Sequence, residues 1–182
     1  MAGAGPVGAP RDETTSDVLV VERAEQPALG VRQVVRRDAL PSTVARAVLA
    51  VAELLRRTGA AAAGPPYARY RGVVGDTVDV EVGFPVVDAV PAERLRREQV
   101  PEGRLVADAL PAVRAAETVH VGAYEDLGRA YDRLVAWLGR HGLEPLDQSW
   151  ELYESGPSSD PDPAAWRTRL VMPVSASGAA AP

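Results

Sequence analysis

The 182-residue chain contains no cysteine, no lysine, no isoleucine and no asparagine. Without cysteine there is no disulfide framework, thiol nucleophile or thiolate metal site, and two histidines give little basis for a zinc or iron centre. No metal and no cofactor is expected. The lack of asparagine removes any N-glycosylation sequon. Because lysine is missing, all 20 positive charges are arginines, which reads as GC-rich coding and not as a physical requirement. Acidic residues outnumber them at 25, for a net charge of −5 with no basic run, which argues against broad binding to a nucleic-acid backbone. No segment nears the roughly 18 uninterrupted apolar residues of a membrane span. The start MAGAGPVGAPRDE has neither the basic nor the apolar region of a secretory signal. A cytoplasmic protein that meets neither nucleic acid nor membrane directly is the expectation, and its acidity suits cationic partners.

What is present is organised as one domain of about 18–174 between two tails, 1–17 and 175–182, built of small, proline-rich and acidic residues and expected to be disordered. Gly3, Gly5 and Gly8 have the G-x-G-x-x-G spacing, but no strand precedes them and Pro6 interrupts the helix that would hold a phosphate. The match is accidental.

Between the tails the chain repeats itself. RRTGAAAAGPPYARY (56–70) lies over GRHGLEPLDQSWELY (139–153), pairing Gly59 with Gly142, Tyr67 with Trp150 and Tyr70 with Tyr153, always 83 positions apart. At the same offset, Val44, Val48, Val51, Leu54 and Leu55 match Leu127, Tyr131, Leu134, Trp137 and Leu138. Both sets have the spacing of an apolar helical stripe. The first helix should start at Ser42 as N-cap and stop before Gly59, and the second should end at Arg140 and His141 before Gly142. Strands are expected at 25–35 and 109–121 before the helices. Behind them two hairpins are expected, GPPYARYRG with 76–86 and QSWELYES with 166–174. The fold class is therefore α+β: duplicated βαββ units (18–86 and 104–174) forming pseudo-twofold antiparallel sheets, with a groove between the halves. A charged connector, 87–103, carries a short helix near Ala92–Arg97 and could act as a lid.

The runs GPPYARY…DVEVGFPV and HVGAYEDLGRAYDRLVAWL…WELY…DPAAWRTRLVMPV resemble the GyrI-like small-molecule-binding domain, also found as the effector-binding part of AraC-type and MerR-type multidrug regulators. The resemblance covers nearly all of 18–174. It implies a groove for bulky, flat, often cationic compounds. Regulators place a DNA-binding helix-turn-helix ahead of this domain, and the N-terminal tail here is too short to hold one, so direct transcriptional control is not expected.

Strand alternation divides the candidate residues. Trp150 and Leu152 share one face, taken as the one that meets the helix, which leaves Glu151 and Tyr153 toward the groove. The repeat places Tyr70 at the position of Tyr153 and Ala68 at that of Glu151, giving tyrosines on both sides and a single acid. The resemblance puts an acid of the Trp-Glu-x-Tyr stretch in the pocket of multidrug-binding members, which makes Glu151 the main candidate; the alternative is a solvated strand glutamate. A carboxylate among aromatic rings attracts a delocalised cation because little water screens the pair. Tyr70 and Tyr153 serve either as ligand-stacking rings or as cross-strand packing. Trp137 is either core or the closing wall of an aromatic cage.

Asp79 and Glu81 point away from the helix side of their hairpin, where they are ordinary strand charges unless Glu81, in the DVEVGFP stretch, reaches the ligand. Tyr67 is expected in the core. His120 and Tyr124 could orient a water, or serve only the turn at Gly122; His141 is explained by its helix end.

Three functions stay open. The first is a stand-alone receptor that captures hydrophobic, cationic aromatic molecules through Tyr70, Glu81, Trp137, Glu151 and Tyr153. The second, implied by the resemblance to some stand-alone relatives, is a hydrolase that opens the cyclopropane of DNA-alkylating natural products; Glu151 would handle the proton and Tyr153 would donate to the developing phenolate oxygen. The third is a protein partner that inhibits DNA gyrase, as the family name suggests.

Overall fold

A computed structural model describes residues 17–72 and 75–176; the accidental glycine pattern and nearly all of the two expected tails lie outside them. Nine strands and three helices follow in the order β1 (Leu19–Arg23), β2 (Gln26–Arg36), α1 (Leu40–Thr58), β3 (Tyr67–Arg71), β4 (Thr77–Pro85), α2 (Ala92–Leu95), β5 (Arg104–Leu110), β6 (Val113–Val121), α3 (Leu127–Arg140), β7 (Leu143–Pro145), β8 (Gln148–Ser155) and β9 (Arg167–Ala176). The class is α+β with a mostly antiparallel sheet, as the sequence indicates.

The sheet order is β1-β6-β9-β8-β3-β4-β2-β5, with β7 added to β9. It runs through the same kinds of strand from either end, with β8 and β3 in the middle. Ala68 and Glu151, the two positions matched by the 83-residue offset, lie directly opposite each other there. The crossing of the outer strands holds the halves together: β1 precedes β2 but pairs with β6, and β5 precedes β6 but pairs with β2.

Two helices cover one side of this sheet. Ala47 and Val51 of α1 pack on Ala68, Val78, Val80 and Val82. Ala130, Leu134 and Leu138 of α3 pack on Ala116, Leu170 and Met172. Both helices stop where a glycine takes the left-handed conformation that other residues resist, Gly59 (φ 67°) and Gly142 (φ 63°).

The start of α1 differs from expectation. The helix begins at Leu40 with Ala39 as its cap, and Ser42 lies in the first turn, its Oγ donating back to the Ala39 carbonyl at 3.0 Å. The strand expected at 109–121 is also two strands, because Pro111, which cannot donate to a ladder, breaks it after Leu110.

The faces of β8 are the reverse of those expected. Trp150 and Leu152 pack with Ala28, Tyr67, Leu110, Ala115 and Val171, a cluster that contains no helical residue. Leu110 belongs to one edge of the sheet and Ala115 to a strand near the other, so the sheet curls on this side and closes a second core. Large apolar residues on a central strand therefore did not need a helix to bury them. Glu151 and Tyr153 face the helices.

Candidate functional site

Helix α1 lies chiefly over β2 and β4, and α3 over β6 and β7, which leaves a seam along the central strands β3 and β8. Its floor carries Tyr70, Glu151 and Tyr153. Glu151 is 4% exposed. Its Oε2 accepts hydrogen bonds from the hydroxyls of Tyr153 at 2.7 Å and Tyr70 at 3.1 Å. Burial pushes the carboxyl above its ordinary range, and the tyrosine donors pull it only part of the way back. The same burial, with the Glu151 charge nearby, raises the hydroxyls of Tyr70 and Tyr153. Burial thus shifts all three groups toward their neutral forms.

Two other acids are buried among the described residues, and the contrast is instructive. Glu117 is bonded by Arg23 and lies 3.4 Å from Arg169. Glu81 accepts from the Tyr67 hydroxyl and from Arg71 Nη1, both at 2.6 Å. Each has an arginine, as burial of a charge requires. Glu151 has no cationic partner among the described residues.

Of the sequence candidates, Tyr70, Glu151 and Tyr153 come together. Glu81 does not join them: it lies on the inner face of the curled sheet, tied to Arg71. Beside it, an open depression of about 600 Å³ is lined by Arg32, Arg71, Arg104, Leu105 and Asp108 among others. Tyr67 is fully buried in the core, as expected. Trp137 stacks on His141 with ring centroids 3.8 Å apart and packs near Leu143 and Val174, and no ring contact joins it to Tyr70 or Tyr153 among the described residues.

The rings that do close the seam are not ones that the sequence marks as ligand residues. Tyr124, in the turn before α3, meets Tyr153 edge-on at 5.5 Å and Trp166 at 4.6 Å. Its hydroxyl reaches the backbone at Gly156, where a Cβ would come within 2.3 Å of it. Tyr131, one turn into α3, buries its hydroxyl within the field of Glu151. The stripe Leu127, Tyr131, Leu134 carried that signal, since a tyrosine in an apolar stripe brings a hydroxyl to the sheet. Nothing in the sequence marked Trp166.

The fold that carries this buried, tyrosine-ringed acid, an antiparallel sheet with two helices on one side, is that of a small-molecule-binding domain. The chain belongs to the GyrI-like small molecule binding domain family, whose model matches residues 17–175. Among solved structures it is similar to EcmrR. In an EcmrR–DNA complex the match has a TM-score of 0.70 at 21% identity and covers 90% of this chain but 58% of that one. With the EcmrR C-terminal domain alone the TM-score is 0.71, also at 21% identity, over 88% of this chain and 98% of that one. A hydrolase encoded by lin2189 from Listeria innocua matches at TM-score 0.64 and 14% identity, over 90% and 94% of the two chains. SAV2435 bound to tetraphenylphosphonium matches at TM-score 0.60 and 10% identity, over 88% and 97%. At these identities the likeness is one of fold. No curated protein sequence matches significantly. No helix among the described residues is long and apolar enough to cross a membrane.

Proposed function

We propose that residues 18–174 form a receptor for bulky hydrophobic cations, with Glu151 as the counter-charge and Tyr70, Tyr153, Tyr124 and Trp166 as the aromatic surround. The observation that carries this reading is a buried carboxylate whose partners are tyrosine hydroxyls alone, while the other two buried acids have arginines. A delocalised cation loses little hydration on entering such a site, gains the weakly screened charge of Glu151, and lies against ring faces that attract it further. The rings fill the seam in this structure, so entry requires Tyr124 and Trp166 to move.

Fluorescence titration with tetraphenylphosphonium tests the reading. Saturable binding to the wild type that weakens at least tenfold in Glu151→Gln is expected; equal affinity in both proteins overturns it.

The raised carboxyl of Glu151 also favours a second reading, hydrolysis, because a carboxyl that holds its proton more tightly than an ordinary one is better placed to protonate a leaving group. Product formation from a cyclopropane-bearing alkylator, abolished in Glu151→Gln, would establish it.

A further inference from the structure

His120 and Thr168 form the best-defined feature that the receptor reading leaves unused. They are cross-strand partners on β6 and β9. Both lie on the helix-facing side, in step with Ala116 and Thr118 on one strand and Leu170 and Met172 on the other. Thr168 is in turn the cross-strand partner of Tyr153, so a polar row runs across three strands from Glu151 through Tyr153 and Thr168 to His120.

His120 and Thr168 are 1% and 0% exposed. The His120 Nε2 lies 3.0 Å from the Ala123 carbonyl oxygen, which can only accept, so the neutral ring carries its proton on Nε2 and presents Nδ1 as an acceptor. Among the described residues that Nδ1 has no donor, and the buried Thr168 Oγ1 has no partner. Two unpartnered polar atoms on directly opposed residues are costly in an apolar setting, where nearly every buried polar group finds a bond. The Tyr124–Trp166 pair stands at this end of the sheet: Trp166 is two residues from Thr168, and its carbonyl accepts from Gly122 N at 2.9 Å.

From this geometry we propose that His120 and Thr168 form a hydroxyl-binding subsite at the far end of the Glu151 seam. A hydroxyl satisfies both atoms at once, donating to His120 Nδ1 and accepting from Thr168 Oγ1. Its source is either a ligand hydroxyl some distance from the ligand's cationic centre or a tightly held water. The ligand source rests on the receptor reading; the water source does not.

Two measurements separate these cases. One compares the dissociation constants of tetraphenylphosphonium and its mono(4-hydroxyphenyl) analogue in the wild type, in Thr168→Val, which keeps the shape and loses the hydroxyl, and in Thr168→Ser, which restores it. The other uses the free protein, and records magnetisation transfer from a long-lived water to the Thr168 methyl group together with the ¹⁵N shift of a hydrogen-bonded His120 Nδ1. A ligand hydroxyl should give the analogue about a tenfold advantage in the wild type and in Thr168→Ser that falls below twofold in Thr168→Val. A structural water should give no such advantage, but a water signal and a bonded Nδ1 that are lost in Thr168→Val. Equal affinities in all three proteins with neither water signal nor bonded Nδ1 overturn the subsite. If neither cation binds the wild type, the receptor reading fails, and the water measurement still decides the subsite.

Discussion

Replacing Glu151 by glutamine should stabilise the protein, and by more at higher pH. The carboxyl is raised in the native state, chiefly because burial disfavours its charge. Below the ordinary carboxylate range it is neutral whether the chain is folded or not, and it adds no pH dependence. As pH rises above that range, the unfolded chain gives up the proton while the native protein keeps it. The native state then binds one more proton, so stability falls with pH, by about 1.4 kcal/mol per unit. The fall ends when pH passes the native value of Glu151. Glutamine does not titrate, and its carbonyl still accepts from Tyr70 and Tyr153. All other acids are common to the two proteins, and the tyrosines stay neutral throughout, so the difference between wild type and variant isolates this one group. Urea unfolding at about pH 5, 6, 7 and 8 should show the variant's advantage growing linearly and then levelling, and the point of levelling reads the native value directly. A pH-independent difference, or a wild type that gains on the variant as pH rises, would refute a neutral buried acid. Saturating tetraphenylphosphonium should remove the slope, because the bound cation favours the ionised form. Its affinity should rise by up to tenfold per pH unit over the same window.

Glu81→Gln should do the opposite and lower stability by roughly 1–3 kcal/mol in urea, since it takes the carboxylate from Arg71 and from the Tyr67 hydroxyl. Gly83→Ala should cost about 1–3 kcal/mol, read as a lower Tm, because a Cβ there would lie 2.2 Å from the Leu29 carbonyl oxygen, and backbone cannot yield as a side chain can. Gly156→Ala should displace Tyr124 and change the near-ultraviolet circular dichroism of the Tyr124–Trp166 pair with little change in the far-ultraviolet spectrum. Tyr153→Phe should weaken tetraphenylphosphonium binding at neutral pH by about tenfold, because it removes the shorter of the two hydrogen bonds that favour the ionised acid.

The parts of the fold carried by short-range signals were legible in the sequence. Gly59 and Gly142 end their helices because each sits where the chain turns left-handed, and the two apolar stripes do face the sheet. The meeting of Glu151, Tyr70 and Tyr153 was legible too, through the repeat. Three strands were not. LEP of β7 is only three residues long and pairs with the end of β9. LVVER of β1 and RLVADAL of β5 are short, half-exposed and paired with strands of the opposite half, so their stability comes from partners far away along the chain, residues 113–117 for β1 and 26–32 for β5. Alternation along β8 separated Glu151 from Trp150 correctly, but could not say which face a helix covers when both faces are buried. The same ambiguity placed Glu81 and Glu151 on one side. The structure separates them, because β4 carries Val78, Val80 and Val82 toward α1 and turns Glu81 inward.

The three buried acids show what is unusual about Glu151. An arginine-rich chain has given Glu81 and Glu117 their counter-charges from neighbouring strands, so it had the means to do the same at the centre of the sheet. The residue directly opposite Glu151 is Ala68, the smallest apolar side chain that can stand in a strand without loosening it. A second acid there would have set two carboxylates against each other, and an arginine would have neutralised the first from within. Alanine does neither. It leaves one ionisable group at the middle of the sheet, surrounded by hydroxyls that can follow it into either protonation state. Such a group lowers stability whenever the solution is basic enough to ionise it in the unfolded chain, and a single change to glutamine would remove that cost. On the receptor reading proposed above, its physical advantage would lie in the bound state, where a cation from outside supplies the charge that the sequence has withheld.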